Sequence, residues 1–294
     1  MTYTEVIACP LCGQTPLFPF LSCTDHLVSQ EEFPLAECRS CGLILTERQP
    51  VDPTPYYQSD QYLSHHPNQT SVFAWVYRIL RRFNLRRKVQ LVLRHTQGRK
   101  LLDYGCGTGE FLHAAAQHGF EIVGVEPDHM AREIASSLTG ERIRRRIEDL
   151  EAGERYDIIT LWHVLEHIPD FMRILQELKA RLNSGGMLLL ALPNPEASEV
   201  ADYQAFWAGF DVPRHLWHFR QRTVERLLHK AGLRLLATCP MKFDAYYVSL
   251  LSEQYRKGSR TAGAWARAFL HGWRSNNKAR RTGQYSSLIY IARP

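Results

Sequence analysis

Two cysteine pairs stand near the start of the chain, Cys9-Pro10-Leu11-Cys12-Gly13 and Cys38-Arg39-Ser40-Cys41-Gly42. Four thiolates in two Cys-x-x-Cys knuckles, 25 residues apart, suit a tetrahedral Zn2+ ion. Such a site leaves no position open for water, so a structural zinc is expected rather than a catalytic one. The glycine after each pair lets the chain turn so that backbone N–H groups can face the sulfurs. Disulfides and a single redox pair are the competing readings. Residues 1–10 lack a basic region followed by an apolar run, so a reducing, cytoplasmic setting is expected, which disfavours disulfides. A single redox pair leaves the second knuckle unexplained. Cys23 and His26, between the knuckles, are not expected to be ligands.

A second constellation begins at Asp103-Tyr104-Gly105-Cys106-Gly107-Thr108-Gly109. Alternate glycines allow a sharp turn and close approach of the backbone to a ligand. The helix expected from Glu110 presents free N–H groups at the same place. Glu126 ends the next expected strand, 23 residues after Asp103, where a ribose diol is usually held. A bare tight turn is the alternative for the loop alone. Strand, loop, helix, strand and acid in order favour a binding loop. The spacing is Gly-x-Gly-x-Gly after an aspartate, unlike the dinucleotide fingerprint, and the aspartate suits a cationic or amine-bearing ligand.

A third group is histidine-rich. His163-Val164-Leu165-Glu166-His167 matches the His-x-x-Glu-His motif of inverted zinc proteases, whose chemistry needs both histidines on a stable helix. The segment follows an expected strand directly and Pro169 comes two residues later, so the match is read as coincidence. Pro213-Arg214-His215-Leu216-Trp217-His218-Phe219 follows the last strongly apolar strand. Imidazole has a suitable pKa for a general base; His215 is the first candidate and His167 the second. A packing or loop-anchoring role competes for each, and for His218.

These residues must be positioned by a larger frame. The 294 residues are 45% apolar and 22% charged, which excludes collagen-like, disordered and low-complexity classes. No apolar run approaches the ~20 residues that cross a bilayer. From residue 99 short strands and helices alternate. Strands are expected at 100–104, 121–125, 142–147, 156–162, 187–192, 233–238 and 287–292, with helices at 110–118, 128–138, 170–182 and 223–231. The pattern specifies a Rossmann-like, doubly wound α/β sheet. The expected organisation is a zinc-ribbon-like module at 1–46, a connector with a basic helical segment at 47–98, and a catalytic domain at 99–294. Pro50, Pro53 and Pro55 interrupt the connector. The helix expected from 71 to 96 carries Val72, Phe73, Val76, Ile79, Leu80 and Phe83 at helical spacing, with Ser71 as cap and Gly98 as stop.

The Asp103 loop with Gly105, Gly107 and Glu126 resembles class I S-adenosylmethionine (SAM)-dependent methyltransferases. The segments Asp157–Pro169 and Gly185–Pro193 are similar to that family's fourth and fifth strands. The resemblance implies that Asp103, Gly105, Cys106 and Gly107 hold the methionine moiety and that Glu126 grips the ribose. It also implies that Trp162 or His163 flanks the adenine or the methyl group. The family's usual adenine-binding acid is replaced by Arg146, which leaves backbone groups near Ile147 for the adenine. With its four-cysteine ribbon the whole chain resembles sugar C-methyltransferases and ubiquinone-biosynthesis-like methyltransferases; Cys41-Gly42-Leu43 and Pro55-Tyr56-Tyr57 match the former. Zinc-bearing ribosomal RNA base methyltransferases match less of the connector.

Charge is unevenly spread. The formal total of +6 divides into −6 for residues 1–60, +9 for 61–100, −8 for 101–200 and +11 for 201–294. Residues 71–97 and 260–281 mix arginines with aromatics, and Trp265, Phe269 and Trp273 are four apart. An anionic membrane, RNA phosphates and a nucleotide-linked sugar each fit such segments. For either segment alone, an aromatic stripe packed on the core with a solvated charged face is favoured. The expected function is SAM-dependent methylation of a small-molecule acceptor, such as an anionic or nucleotide-linked sugar. The alternatives are an rRNA or tRNA base methyltransferase and a catalytically silent SAM-fold module.

Overall fold

The computed structural model describes residues 2–57, 72–258 and 262–294, with side chains from 83 in the helix that begins at 72 and from 263 in the one that begins at 262. The Ser71 cap, the stripe from Val72 to Leu80, Arg78, Arg81, Arg82, Arg260 and the connector from 58 to 70 lie outside what is described. Five short strands come first: β1 (Tyr3–Glu5), β2 (Phe18–Thr24), β3 (Glu32–Glu37), β4 (Ile44–Thr46) and β5 (Arg48–Pro50). Helix α1 (Val72–His95) leads to β6 (Lys100–Tyr104), α2 (Glu110–Ala116), β7 (Glu121–Val125), α3 (His129–Thr139) and β8 (Tyr156–Trp162). Then come α4 (Phe171–Ala180), β9 (Leu182–Pro193), α5 (Ser198–Tyr203), β10 (Trp217–His218), α6 (Gln221–Lys230) and β11 (Arg234–Pro240). The chain closes with a helical pair, α7 (Asp244–Lys257) and α8 (Ala262–Thr282), and β12 (Ser287–Arg293).

The central sheet has the order β11-β12-β9-β8-β6-β7, parallel from β9 to β7, with β12 antiparallel to both neighbours. This is the doubly wound α/β arrangement expected from the alternation of strands and helices. Met187 to Leu192 on β9 are buried throughout, because helices cover both faces of the sheet. On one face Leu102, Ile159, Leu188 and Leu190 pack on Phe171, Leu175 and Leu227. On the other, Leu101, Ile158 and Leu189 meet Val89 and Val92 of α1 and Phe111 of α2.

Two local expectations are corrected. Residues 142–147 form no strand; they make a single bridge, Val125 to Arg144, before a 3-10 turn at Ile147–Asp149. The buried positions there are Ile143, Ile147 and Leu150, spaced by four and three rather than alternating, with Arg144, Arg145 and Arg146 in the first gap and Glu148 and Asp149 in the second. Helix α6 begins at Gln221, not Thr223. The Thr223 hydroxyl does not cap the helix: it is buried and donates to the Cys41 carbonyl at 3.1 Å.

The N-terminal strands are not a separate bead. Strand β4 pairs with β10, which lies far along the chain, so residues 217–218 complete the N-terminal sheet β10-β4-β3-β2. Cys9, Leu11, Cys38, Cys41 and Leu43 belong to the same core cluster as Leu216, Trp217 and Phe171. Arg214 fastens this junction. It is 2% exposed and donates to Asp25 (2.9 Å), Asp211 (2.8 Å) and the Tyr56 carbonyl (3.1 Å). Truncating one member of a buried ion group leaves charge without a partner. Arg214→Ala is therefore expected to lower the free energy of unfolding by about 3–5 kcal/mol, read from denaturant midpoints; a loss below ~1 kcal/mol would contradict this role.

Candidate active site

The glycine loop is fastened to the neighbouring strand. The N–H groups of Gly105 and Cys106 both donate to the Val125 carbonyl, at 2.7 and 3.0 Å. Gly107 has φ +53°, and a Cβ there would face open space, so the loop floor is open to a ligand. At Gly105 a Cβ would strike Val164 at 2.6 Å, which brings the loop after β8 against the glycine loop.

Asp103 is the last residue but one of β6 and is 2% exposed. Its Oδ1 accepts from the Thr160 hydroxyl at 2.6 Å, and Oδ2 accepts no hydrogen bond among the described residues. Burial pushes its pKa up to about 7, against the opposing effects of Thr160 and Lys88. Glu126 accepts from Gly107 N–H at 2.8 Å through Oε2 and from Asp128 N–H at 2.9 Å through Oε1. These bonds orient its carboxylate across the loop, and each oxygen keeps a lone pair for a hydroxyl. Two nearly buried carboxylates and an open glycine floor fit a cationic, ribose-bearing ligand such as SAM.

Ile147 is buried where the 3-10 turn starts, and Arg146 is exposed. Trp162 packs edge-on against Phe111, with ring centroids 5.2 Å apart. The Lys88 ammonium stands 4.3 Å from its ring centre. Lys88 also interacts electrostatically with Asp244, Asp103 and Glu110, while burial lowers its pKa. Sequence reasoning missed Lys88; its only signal is that it is the one lysine in an arginine-rich helix.

Beyond the glycine loop lies a second cluster. Residues 165–167 make one 3-10 turn rather than a helix, so His163 and His167 do not share a helical face. His163 has φ +59°, and it lies 3.5 Å from Glu166 through Nδ1 and 3.2 Å from Asp244 through Nε2. Burial lowers its pKa, but Asp244 and Glu166 outweigh that and hold it at about 9. Glu166 is 1% exposed, and neither carboxylate oxygen has a hydrogen-bond partner among the described residues. Burial raises its pKa, yet the facing histidines, His163 foremost, bring it below the ordinary value. His167 Nδ1 lies 3.0 Å from both the Tyr57 hydroxyl and the Arg214 carbonyl. Burial and His215 pull its pKa down to about 4.

His215 Nδ1 meets the Gly209 carbonyl at 2.9 Å. A carbonyl only accepts, so Nδ1 carries a proton there, and Nε2 is the nitrogen turned toward the carboxylates. That nitrogen lies 4.0 Å from Glu166 Oε1 and 3.9 Å from Asp211 Oδ2. The two imidazoles of His167 and His215 are 4.6 Å apart. Sequence position thus nominated His167 and His215 separately, and the fold brings them together with Glu166. Tyr57 enters the sequence reading only as part of the connector motif, and Asp211 and Asp244 do not enter it; Tyr57 and Asp244 reach the cluster from distant parts of the chain, and Asp211 from four residues before His215. Burial above all, with Asp211 and more weakly Glu166 and Glu126, raises the Tyr57 pKa. His218 is buried deeper, and burial drops its pKa well below the ordinary value.

The four knuckle cysteines do meet: Cys9 and Cys41 sulfurs are 3.4 Å apart, as are those of Cys12 and Cys38, and all four lie within 4.8 Å. A tetrahedron with ~2.3 Å Zn–S bonds needs sulfurs about 3.8 Å apart, so the donor set fits zinc. Gly13 and Gly42 have φ +76° and +82° and donate to the carbonyls of Cys9 and Cys38, closing each knuckle. Cys23 and His26 stay outside the group.

The raised pKa of His163 sets a pH test. A group with a raised folded pKa contributes stability that is complete below its unfolded value and lost as pH rises through the folded value. Asn tolerates a positive φ, so His163→Asn removes the charge with little backbone cost. The variant is expected to melt below the native chain at about pH 6 and to converge on it above about pH 9. A difference that does not change with pH in thermal melts would refute the charged pair.

Comparison with known proteins agrees with this geometry. Residues 75–238 match the family described as Methyltransferase domain. The ubiquinone biosynthesis O-methyltransferase of Haemophilus ducreyi is 35% identical over 109 residues, covering 33% of this chain and 46% of that protein. The enzyme of the same name from Coxiella burnetii is 31% identical over 105 residues, covering 33% and 45%. The chain thus spans about half the length of the curated relatives it matches. Among solved structures, magnesium protoporphyrin IX methyltransferase (ChlM) from Synechocystis PCC 6803 with bound SAH superposes with TM-score 0.52 at 15% identity, covering 81% of this chain and 97% of that one. StiE O-MT, residues 961–1257, gives TM-score 0.50 at 16% identity, covering 76% and 77%. These likenesses concern the fold. With more than half of its length matched by the family, and with the loop, acid and sheet order in place, the chain belongs to the methyltransferase-domain family.

Proposed function

We propose that this chain is a SAM-dependent methyltransferase acting on a hydroxyl of a small-molecule acceptor. The observation that carries the reading is the pairing of two clusters, Asp103 with Glu126 around an open glycine floor, and Glu166, His167 and His215 beside it. On this reading Asp103 faces the amine of the methionine moiety and Glu126 the ribose diol. Gly105, Cys106 and Gly107 line the cofactor, Ile147 lends backbone groups to the adenine, and Trp162 and His163 form the adjoining wall. SAM supplies an electrophilic methyl group. The acceptor oxygen forms the new C–O bond as the C–S bond breaks, the bonding pair returns to sulfur, and the hydroxyl proton passes to His215 Nε2. His167 orders the acceptor side through Tyr57 and the Arg214 carbonyl. Catalysis then rests on proximity and alignment plus one base. The relatives named O-methyltransferases support transfer to oxygen. A Zn2+ held by Cys9, Cys12, Cys38 and Cys41 completes the N-terminal module as a structural ion.

Three outcomes are expected. Calorimetry shows SAM binding that Asp103→Asn and Glu126→Ala each weaken at least about tenfold, the loss of one charge-assisted bond; unchanged affinity in both would remove the pocket assignment. His215→Ala keeps SAM affinity and lowers kcat by about 10²–10⁴ with the acceptor found by labelled-SAM transfer to fractionated extracts. Label confined to RNA would replace the small-molecule reading. Elemental analysis finds one zinc per chain, absent when Cys9 and Cys12 are replaced by Ser; zinc retained by that variant would move the ion elsewhere.

A further inference from the structure

Helix α8 carries five Lys or Arg residues and no Asp or Glu. Its inward face is made of small residues, Ala264, Ala268, Gly272, Ser275 and Ala279, all buried. The outward face presents Phe269 (65% exposed), Leu270 (40%) and Trp273 (51%). The aromatic stripe expected to pack on the core therefore faces outward at Phe269 and Trp273. The rotation of the helix is fixed by Gly272. A Cβ there would meet Tyr246 Cδ1 at 2.7 Å and the Ala245 carbonyl at 3.1 Å, so α7 and α8 touch through the missing side chain. The helix cannot turn these aromatics inward without breaking that contact.

Cations border the apolar face. Arg267 is bound to Glu253 at 2.8 Å. Arg274, Lys278, Arg280 and Arg281 are exposed, and among the described residues no carboxylate lies within ion-pair distance of them. Exposed aromatics and leucine beside unpaired cations match an interfacial helix on an anionic bilayer: the apolar ridge enters the headgroup boundary while the cations meet phosphates. A second copy of the chain fits less well. A twofold interface on this face sets its own cationic border against itself. On its α7 side the patch is bounded by Tyr246, which stacks on Phe269 with ring centroids 5.3 Å apart. No helix among the described residues is long and apolar enough to cross a membrane, so the contact is peripheral.

We infer that the outward face of α8, Phe269, Leu270 and Trp273 bordered by Arg274, Lys278, Arg280 and Arg281, docks the enzyme on anionic lipid bilayers. On the methyl-transfer reading above, docking on a bilayer favours an amphiphilic acceptor.

Flotation of the full chain with vesicles tests this. Binding is expected to phosphatidylcholine vesicles containing about 30% phosphatidylglycerol, and much less to phosphatidylcholine alone. Salt at about 0.5 M should weaken it. Phe269→Ser with Trp273→Ser should reduce binding at least about tenfold, as should Lys278→Glu with Arg281→Glu. All four side chains are exposed, so unchanged melting temperature and SAM affinity are expected and separate lost docking from lost folding or a failed cofactor site. Absence of flotation with anionic vesicles would overturn the inference. So would equal binding by the aromatic variant, or a native dimer in sedimentation that the aromatic substitutions dissociate.

Discussion

A guanidinium buried between two carboxylates organises this molecule. Arg214 sits at the junction of the N-terminal strands, the Tyr57 segment and the loop that carries His215. Its desolvation is tolerable only because Asp25 and Asp211 face it and the Tyr56 carbonyl takes another donor. Its own carbonyl, in turn, meets His167 at 3.0 Å. Neighbouring ties follow the same seam. Thr46 donates its hydroxyl to the His215 carbonyl at 2.7 Å, and Lys230 reaches the Leu11 carbonyl at 2.6 Å. Arg220 binds Glu37 at 2.8 Å. The four-cysteine module is thereby coupled to the cluster of Glu166, His167 and His215, and not merely attached to its surface.

The site divides by charge. Around the glycine loop, Asp103 and Glu126 are held in low-dielectric surroundings that raise both pKa values, while Lys88 acts on Asp103 in the opposite sense. A positively charged ligand arriving there restores favourable ionisation of these groups, so part of its binding energy is prepared by burial. The histidine cluster is built differently. Its histidines are oriented by backbone carbonyls, and Glu166 is held as an anion by the imidazoles around it. On the proposed reading, this separation gives a cationic donor and a proton-losing acceptor distinct environments.

How much of this was legible in the sequence depended on distance along the chain. The glycine loop, Asp103 and Glu126 lie within 24 residues, and their spacing is imposed by one strand–helix–strand unit, so they could be read directly. The two cysteine knuckles were legible for the same reason: each is a local turn whose glycine marks it. Glu166, His215 and Tyr57 could be named only singly, because their meeting depends on the sheet order and on Arg214. Residues 142–147 misled, since apolar residues among arginines resemble a strand until their four-and-three burial spacing is seen. Phe269 and Trp273 misled in the opposite sense. Aromatics at helical spacing usually face a core, but the alanines, serine and Gly272 of α8 allow a closer approach to α7 and take that face instead.

The coupling of the N-terminal module to the histidine cluster is most directly tested by comparing SAM affinity with turnover in a Cys38→Ser, Cys41→Ser chain. The account predicts that SAM dissociation constants stay within about threefold of native, a shift below ~1 kcal/mol, while kcat falls at least about a hundredfold, because Arg214, His167 and His215 lose their support. Turnover at the native level in that chain would contradict the account, and so would SAM affinity and turnover falling together.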